Sequence, residues 1–272
     1  MTVIQRANRL MPREDKDITA SLLEIIKEDG ITVHLNTTAE KISFSSPSIE
    51  LAIKSTDGST SSTVKGTHIL FAAGRVPNVE SLNISAAGIQ TQGKKGYIAC
   101  NERLETNVPG IYVLGDVKGP PAFTHISYDD FRILQANLIT HASDTSKAPL
   151  TITNRIVPYV AYTDPQLGHV GMHEDEARKA YPNDTIKTAK MPMTYVARAL
   201  ETEETRGLMK AVVHGESGRI LGFTCLGVEG GEVMSIVQMA MMGGVGWEKL
   251  RDAVWAHPAL AESLNNIWGF LE

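Results

Sequence analysis

The sequence predicts an α/β region followed by an α+β region, and three observations carry that prediction. The first is an opening order of strand, helix and strand, which suggests half of a parallel βα unit. The second is an apolar stretch, GIYVLGD (110–116), that runs straight into Gly-Asp. The third is a small, polar, Pro-containing segment, HASDTSKAPL (141–150), beyond which strands and helices alternate in a different order and a domain boundary is placed.

The elements follow in order. MTVIQR opens the chain as a short apolar strand. Glu14, Asp15 and Asp17 introduce a helix whose Ile18, Leu22, Ile25 and Ile26 share one face and which stops at Gly30. A strand over 31–35 follows. From 41 to 67, alternating segments separated by Pro47, Asp57-Gly58 and Gly66 read as an antiparallel meander. The run 68–73 is apolar and reads as a strand closing on Gly74-Arg75, with Pro77 preventing its continuation. After the strand at 110–116 and the loop KGPPAF, a helix is expected from about His125, with Ile126, Ile133, Leu134 and Leu138 on one side. Past the boundary, strands are expected at 157–162, 185–190, 208–213 and 220–226, and helices at 174–181, 229–242 and 258–268.

The chain has 272 residues, with 42% hydrophobic and 21% charged, which fits ordinary globular usage and a length sufficient for two compact domains. The formal charge of −5, without a basic block, leaves no electrostatic footprint for nucleic acid, so small molecules are the expected partners. No apolar run approaches the ~18 residues of a membrane span and the first ten residues lack an apolar signal core, so no membrane partner and a cytoplasmic location are expected. Cys100 and Cys225 are too few for a disulfide framework and too far apart for a local Cys-pair motif. No metal site is expected, the eight histidines being read as lacking HxxxH spacing.

Two motifs can carry chemistry. In an open α/β sheet, ligands sit beyond the carboxyl ends of strands; Gly115 would let a cofactor approach the backbone, and Asp116 could accept a hydrogen bond from a polyol hydroxyl. An ordinary Gly-Asp turn is the plainer alternative. Near the C-terminus, His257-Pro258 precedes a helix with an apolar stripe of Leu260, Leu264, Ile267 and Trp268. There His257 is either a surface or capping residue or, paired with Glu262, an acid/base group. The Met-rich stretch with Met234, Met239, Met241 and Met242 reads as core or subunit interface rather than a soft-metal site.

TNVPGIYVLGD following AAGRVPN resembles the second flavin-contacting motif of the FAD-dependent pyridine nucleotide-disulfide oxidoreductases, and HPALAE (257–262) resembles that family's dimerisation signature. VAYTDPQLGHVGM and THISYDDFRI are most similar to the mercuric-reductase-like branch that includes reactive-chlorine-resistance flavoenzymes. The resemblance implies partial FAD/NAD(P)-binding Rossmann-like domains, at 1–74 and 75–150, followed by a dimerisation domain at 151–272. It implies that Asp116 and Gly115 hold FAD, that the Gly74-Arg75 segment lines the junction of the nucleotide domains, and that the helix near His125 points its N-terminus at the flavin, where negative charge develops. It further implies a homodimer in which His257, oriented by Glu262, shuttles protons for a redox dithiol of the other subunit. Electrons would pass from NAD(P)H through FAD to a disulfide or to a metal or oxidant acceptor. The ending WGFLE and the retained His257 depart from true mercuric reductases, which argues against mercuric ion as the substrate.

The resemblance covers only a little over half the family's usual length. Neither GxGxxG nor Cys-x4-Cys occurs in the sequence. The expectation is therefore a C-terminal portion of such an enzyme. A truncated, non-catalytic dimerisation module is the rival reading, and assembly with a separate N-terminal half is a third. Gln5, Arg6 and Arg9, where the family's cofactor-selecting acid would stand, lean toward NADPH.

Overall fold

The computed structural model describes residues 1–144 and 146–272, with the side chain of Ser45 outside the described set. In chain order the main elements are β1 (Thr2–Ile4), α1 (Lys16–Glu28), β2 (Thr32–His34), β3 (Thr37–Ser45), β4 (Ser48–Ser55), β5 (Ser61–Gly66), β6 (Thr91–Gln92), β7 (Tyr97–Ile98) and α2 (Thr124–Gln135). There follow β8 (Tyr159–Ala161), β9 (Gln166–Gly171), α3 (Glu174–Ala180), β10 (Ile186–Pro192), α4 (Ala197–Glu201), β11 (Leu208–His214), β12 (Ile220–Gly227), α5 (Gly230–Met242), α6 (Trp247–Asp252) and α7 (Ser263–Asn266). The chain divides into two compact units, one of Met1–Leu70 with Pro158–Glu272 and one of Phe71–Val157.

In the first unit β1 and β2 pair in parallel through the α1 crossover, as the opening pattern predicts, and β3, β4 and β5 form the expected antiparallel meander. The larger sheet is antiparallel with order β10-β11-β12-β9-β8, and every residue of its central strand β12 is buried. Neighbours in a strand face opposite sides. Leu167 and Leu226, paired across β9 and β12, accordingly point to the face covered by Ile18, Leu22 and Ile25 of α1. The adjacent pair, Gly168 and Cys225, faces the start of α5. Gly168 is there because a Cβ would stand 2.6 Å from the Gly230 carbonyl oxygen, closer than a side chain tolerates. At the sheet's outer edge, Thr188 and Glu272 exchange both backbone hydrogen bonds, so the C-terminal residues cover part of β10.

Phe71–Val157 forms the second unit, in which Leu104, Ile133 and Leu134 make a small core below α2. Ile126, Ile133 and Leu134 of the expected stripe are buried, whereas Leu138 is exposed and belongs to a wider helical turn at Ala136–Thr140.

Several expectations are corrected. Residues 68–73 are not a strand, and Leu70 and Phe71 are 89% and 69% exposed. A strand is defined by its ladder, and no described residue supplies a neighbour there. The stretch 110–116 likewise makes one bridge, Glu105 to Tyr112, and then a tight 3-10 turn at Gly115–Lys118. The helix expected over 258–268 is three short pieces, at Leu260–Glu262, α7 and Ile267–Phe270, although Leu264, Ile267 and Trp268 are buried as the stripe requires. Strand β9 and helices α4 and α6 lie outside the predicted elements. The glycine-rich stretch of β9 and the short lengths of α4 and α6 give weak local periodicity.

Candidate functional site

The Gly115-Asp116 turn in the second unit is built around a buried carboxylate. Gly115 has φ +74°, in the left-handed region where a side chain is strained, and a Cβ there would meet Ser127 Oγ at 3.0 Å, so the first turn of α2 lies directly against it. The Gly115 N–H donates to Asp130 Oδ2 at 2.9 Å. Lys118 Nζ lies 3.2 Å from the same oxygen, and Arg155 Nη1 is 2.7 Å from Asp130 Oδ1. Asp130 is fully buried, so two cations and a backbone N–H compensate one desolvated charge. Sequence reasoning missed this residue. Its signal was the helical stripe, since Asp130 shares the face of Ile126, Ile133 and Leu134.

Asp116 points outward instead. Its carboxylate is about half exposed, with Arg75 Nη1 3.4 Å away. Arg75 is in turn tied through its carbonyl to Lys95 Nζ at 2.8 Å, and Gly74 beside it has φ +109°. Arg75 and Asp116 are thus brought to one surface, next to Gly74 and the buried Gly115 respectively. His125, in the first turn of α2, is exposed and stacks on Phe123 with ring centroids 5.1 Å apart.

A second constellation lies in the first unit. His257 Nδ1 is 2.9 Å from Glu262 Oε2 and 3.2 Å from Oε1, while the imidazole remains 65% exposed. A carboxylate can only accept, so Nδ1 carries the proton and Nε2 presents a lone pair. Asn265 Nδ2 donates to the carbonyls of Arg251 (2.7 Å) and Ala253 (2.9 Å), fixing the chain just ahead of His257.

The first unit also holds a buried polar cluster. The expectation that no histidines stand at HxxxH spacing is corrected by HVGMH, which places His169 and His173 four residues apart. One is on β9 and the other at the start of α3, and the turn between them stacks the rings with centroids 3.9 Å apart. Glu14 and Tyr159 join them, Tyr159 donating to Glu14 Oε1 at 2.5 Å. Burial pushes the His169 imidazole down to about 3, so it is neutral near pH 7, and burial raises the Glu14 carboxyl above its ordinary range. Next to this cluster, Lys210 Nζ lies 2.8 Å from Glu174, 3.0 Å from Asp15 and 3.2 Å from Asp17. Burial opposes its charge, but the carboxylates prevail and raise the ammonium above its ordinary value.

The two cysteines form no pair. Cys225 is buried and its thiol is pushed up to about 12 by burial, and Cys100 is raised by the same cause. Among the described residues no helix is long and apolar enough to cross a membrane.

Residues 1–137 match the pyridine nucleotide-disulphide oxidoreductase family model, and residues 157–267 match the model of that family's dimerisation domain. The chain is 32% identical over 272 residues to the probable pyridine nucleotide-disulfide oxidoreductase RclA of Escherichia coli, covering all of this chain and 58% of that protein. It is 31% identical over 265 residues to a Staphylococcus aureus mercuric reductase, covering 97% of this chain and 46% of the reductase. A dihydrolipoyl dehydrogenase of Thermus scotoductus is 29% identical over 264 residues, with 97% and 55% covered. The solved structure of the HOCl-induced flavoprotein disulfide reductase RclA from Escherichia coli superposes with a TM-score of 0.88 at 32% identity, covering 98% of this chain and 58% of that one. The chain thus spans about half the length of the curated relatives it matches. On both its matched regions and its fold, it belongs to the pyridine nucleotide-disulphide oxidoreductase family.

Proposed function

We propose that this chain is the C-terminal portion of a homodimeric, cytoplasmic flavoenzyme that passes electrons from NAD(P)H through FAD to a disulfide or to a metal or oxidant acceptor. In this reading 1–74 contributes to NAD(P) binding, 75–150 to FAD binding and 151–272 to the dimer. The observation that carries it is the His257–Glu262 pair, whose Nδ1 to Oε2 distance of 2.9 Å leaves Nε2 open on an exposed ring. A histidine so oriented takes a proton at Nε2, and Glu262 stabilises the imidazolium that results. Its exposure suits a group that serves a dithiol on another subunit.

The residues present fit one end of FAD. Gly115 lets the turn pack against Ser127 of α2, and Asp116 offers an exposed carboxylate that accepts from polyol hydroxyls. The first turn of α2, at His125, supplies N–H groups suited to negative charge. Gly74 and Arg75 line the same surface. FAD, when bound, supplies the two-electron chemistry. Exposed Arg6 and a nearby Arg9 support a 2′-phosphate and hence NADPH.

The rival reading, a non-catalytic dimerisation module, is favoured by the thiols: Cys225 is buried and Cys100 is not its neighbour in any pair. The two are separated by supplying, as a second chain, the part of the Escherichia coli flavoprotein disulfide reductase that this chain does not cover. Flavin retention and NADPH-dependent reduction of an aromatic disulfide, with the rate falling ~100-fold or more in His257→Gln, support the enzyme reading. Dimers that retain no flavin and show no activity leave the module.

A further inference from the structure

We propose that Glu14, His169 and His173 form a buried site for one divalent transition-metal ion of the Zn2+ class, which fastens the segment ahead of α1 to β9 and α3. All three side chains are buried, and one ligand atom from each lies within 4.8 Å of the others. They come from two distant segments of one compact unit, Glu14 from ahead of α1 and both histidines from the stretch that joins β9 to α3, so the fold brings the third ligand to the other two.

The hydrogen bonds around the cluster do not close. Tyr159 spends its single proton on Glu14 Oε1, and Glu14 Oε2 is buried with no hydrogen-bond partner. His173 Nε2 is 3.2 Å from the Tyr159 hydroxyl and 4.0 Å from Glu14 Oε2. A buried carboxylate oxygen without a donor is costly and calls for a water or an ion. The donor set selects the ion. Two imidazoles, which are borderline ligands, together with one carboxylate suit Zn2+, and a hard cation such as Mg2+ would require more oxygens.

Outer contacts are already in place. His169 Nε2 is 3.1 Å from the Gly171 carbonyl, so it carries the proton, and Nδ1 accepts from Thr224 Oγ1 at 2.7 Å, a hydroxyl that turns away when Nδ1 takes a metal. Ligating histidines characteristically donate the other ring N–H to a carbonyl in this way. Binding at ~2.0–2.1 Å from each ligand requires the two stacked rings to tilt and the donors to close by about 1 Å or less. Tyr159 or a water fills the fourth position.

The test uses the 272-residue chain, stripped with chelator and then exposed to Zn2+ or Co2+. The expected result is one equivalent of Zn2+ retained after desalting, a Zn2+-dependent rise in melting temperature reversed by EDTA, and Co2+ absorption of tetrahedral intensity. Glu14→Gln and His173→Asn should each weaken Zn2+ binding at least tenfold. His214→Asn, which removes the imidazole beside Asp184 and Glu216, should leave it unchanged. Should the cluster variants not fold, the Co2+ spectrum and EDTA-reversible melting of the unaltered chain decide. No retained metal with no thermal shift means a buried water only and overturns the proposal, as does binding lost in His214→Asn but kept in His173→Asn.

Discussion

Asp130 accepts the backbone N–H of Gly115 at 2.9 Å, so a fully buried carboxylate on α2 fixes the turn that presents Asp116. Asp130→Ala would leave Lys118 and Arg155 without their shared counter-charge. Breaking a buried pair from one side costs about 3–5 kcal/mol, which urea unfolding should register. Hydrogen exchange at the Gly115 amide should accelerate in the same variant, and less so in Asp130→Asn, which keeps an acceptor. Unchanged exchange would show that the turn holds without Asp130.

Lys210 is the buried cation that Asp15, Asp17 and Glu174 share, with the more exposed Lys190 and Arg178 beside Asp17 and Glu174 respectively. Lys210→Met keeps the stem and removes the charge, leaving three carboxylates together. A loss of about 3 kcal/mol is expected, at the low end for a buried pair because Asp17 and Glu174 are partly exposed. Chemical denaturation of the two proteins at low salt measures it.

Cys225 makes a prediction for alkaline pH. Its folded value, about 12, is raised above the ordinary 9.0, so the unfolded chain releases this proton first. The contribution to stability is whole below pH 9 and is lost as pH rises toward 12. Cys225→Ala should therefore lose less stability between pH 8 and pH 10.5 than the unaltered chain, as followed by denaturant midpoints. In the native protein Cys225 should also resist an aromatic disulfide reagent that labels it promptly in urea.

Met239 and Met242 on α5 are 65% and 61% exposed, while Val233, Met234, Val237 and Ala240 of the same helix face inward. If the outward methionines meet a second copy, Met239→Glu buries a charge at that contact and should shift sedimentation from dimer to monomer with little change in melting temperature. A monomeric unaltered chain at micromolar concentration would sink the homodimer reading.

Elements whose partners are close in sequence were legible. The α1 stripe of Ile18, Leu22 and Ile25 and the β3-β4-β5 meander needed only local pattern and turn residues. The runs 68–73 and 110–116 have strand-like composition, but ladder partners are not a local property, and neither run forms a strand. His257 and Glu262 could be paired from the motif alone, whereas Asp130 looked like one more charge on a helix until its neighbours were known. HVGMH was visible in the letters. What could not be read there was that Glu14, some 150 residues earlier, would close on it.

The packing of α1 on Leu167 and Leu226 bears on where the chain can be cut. A fragment beginning at residue 151 would turn those two leucines toward water, a loss of roughly 1.5–3 kcal/mol for each. It would keep the whole five-stranded sheet and yet be sticky. In gene recombination between relatives, the productive crossovers are therefore expected at 70/71 and 157/158, with the first and last segments inherited together and the middle exchanged as a cassette.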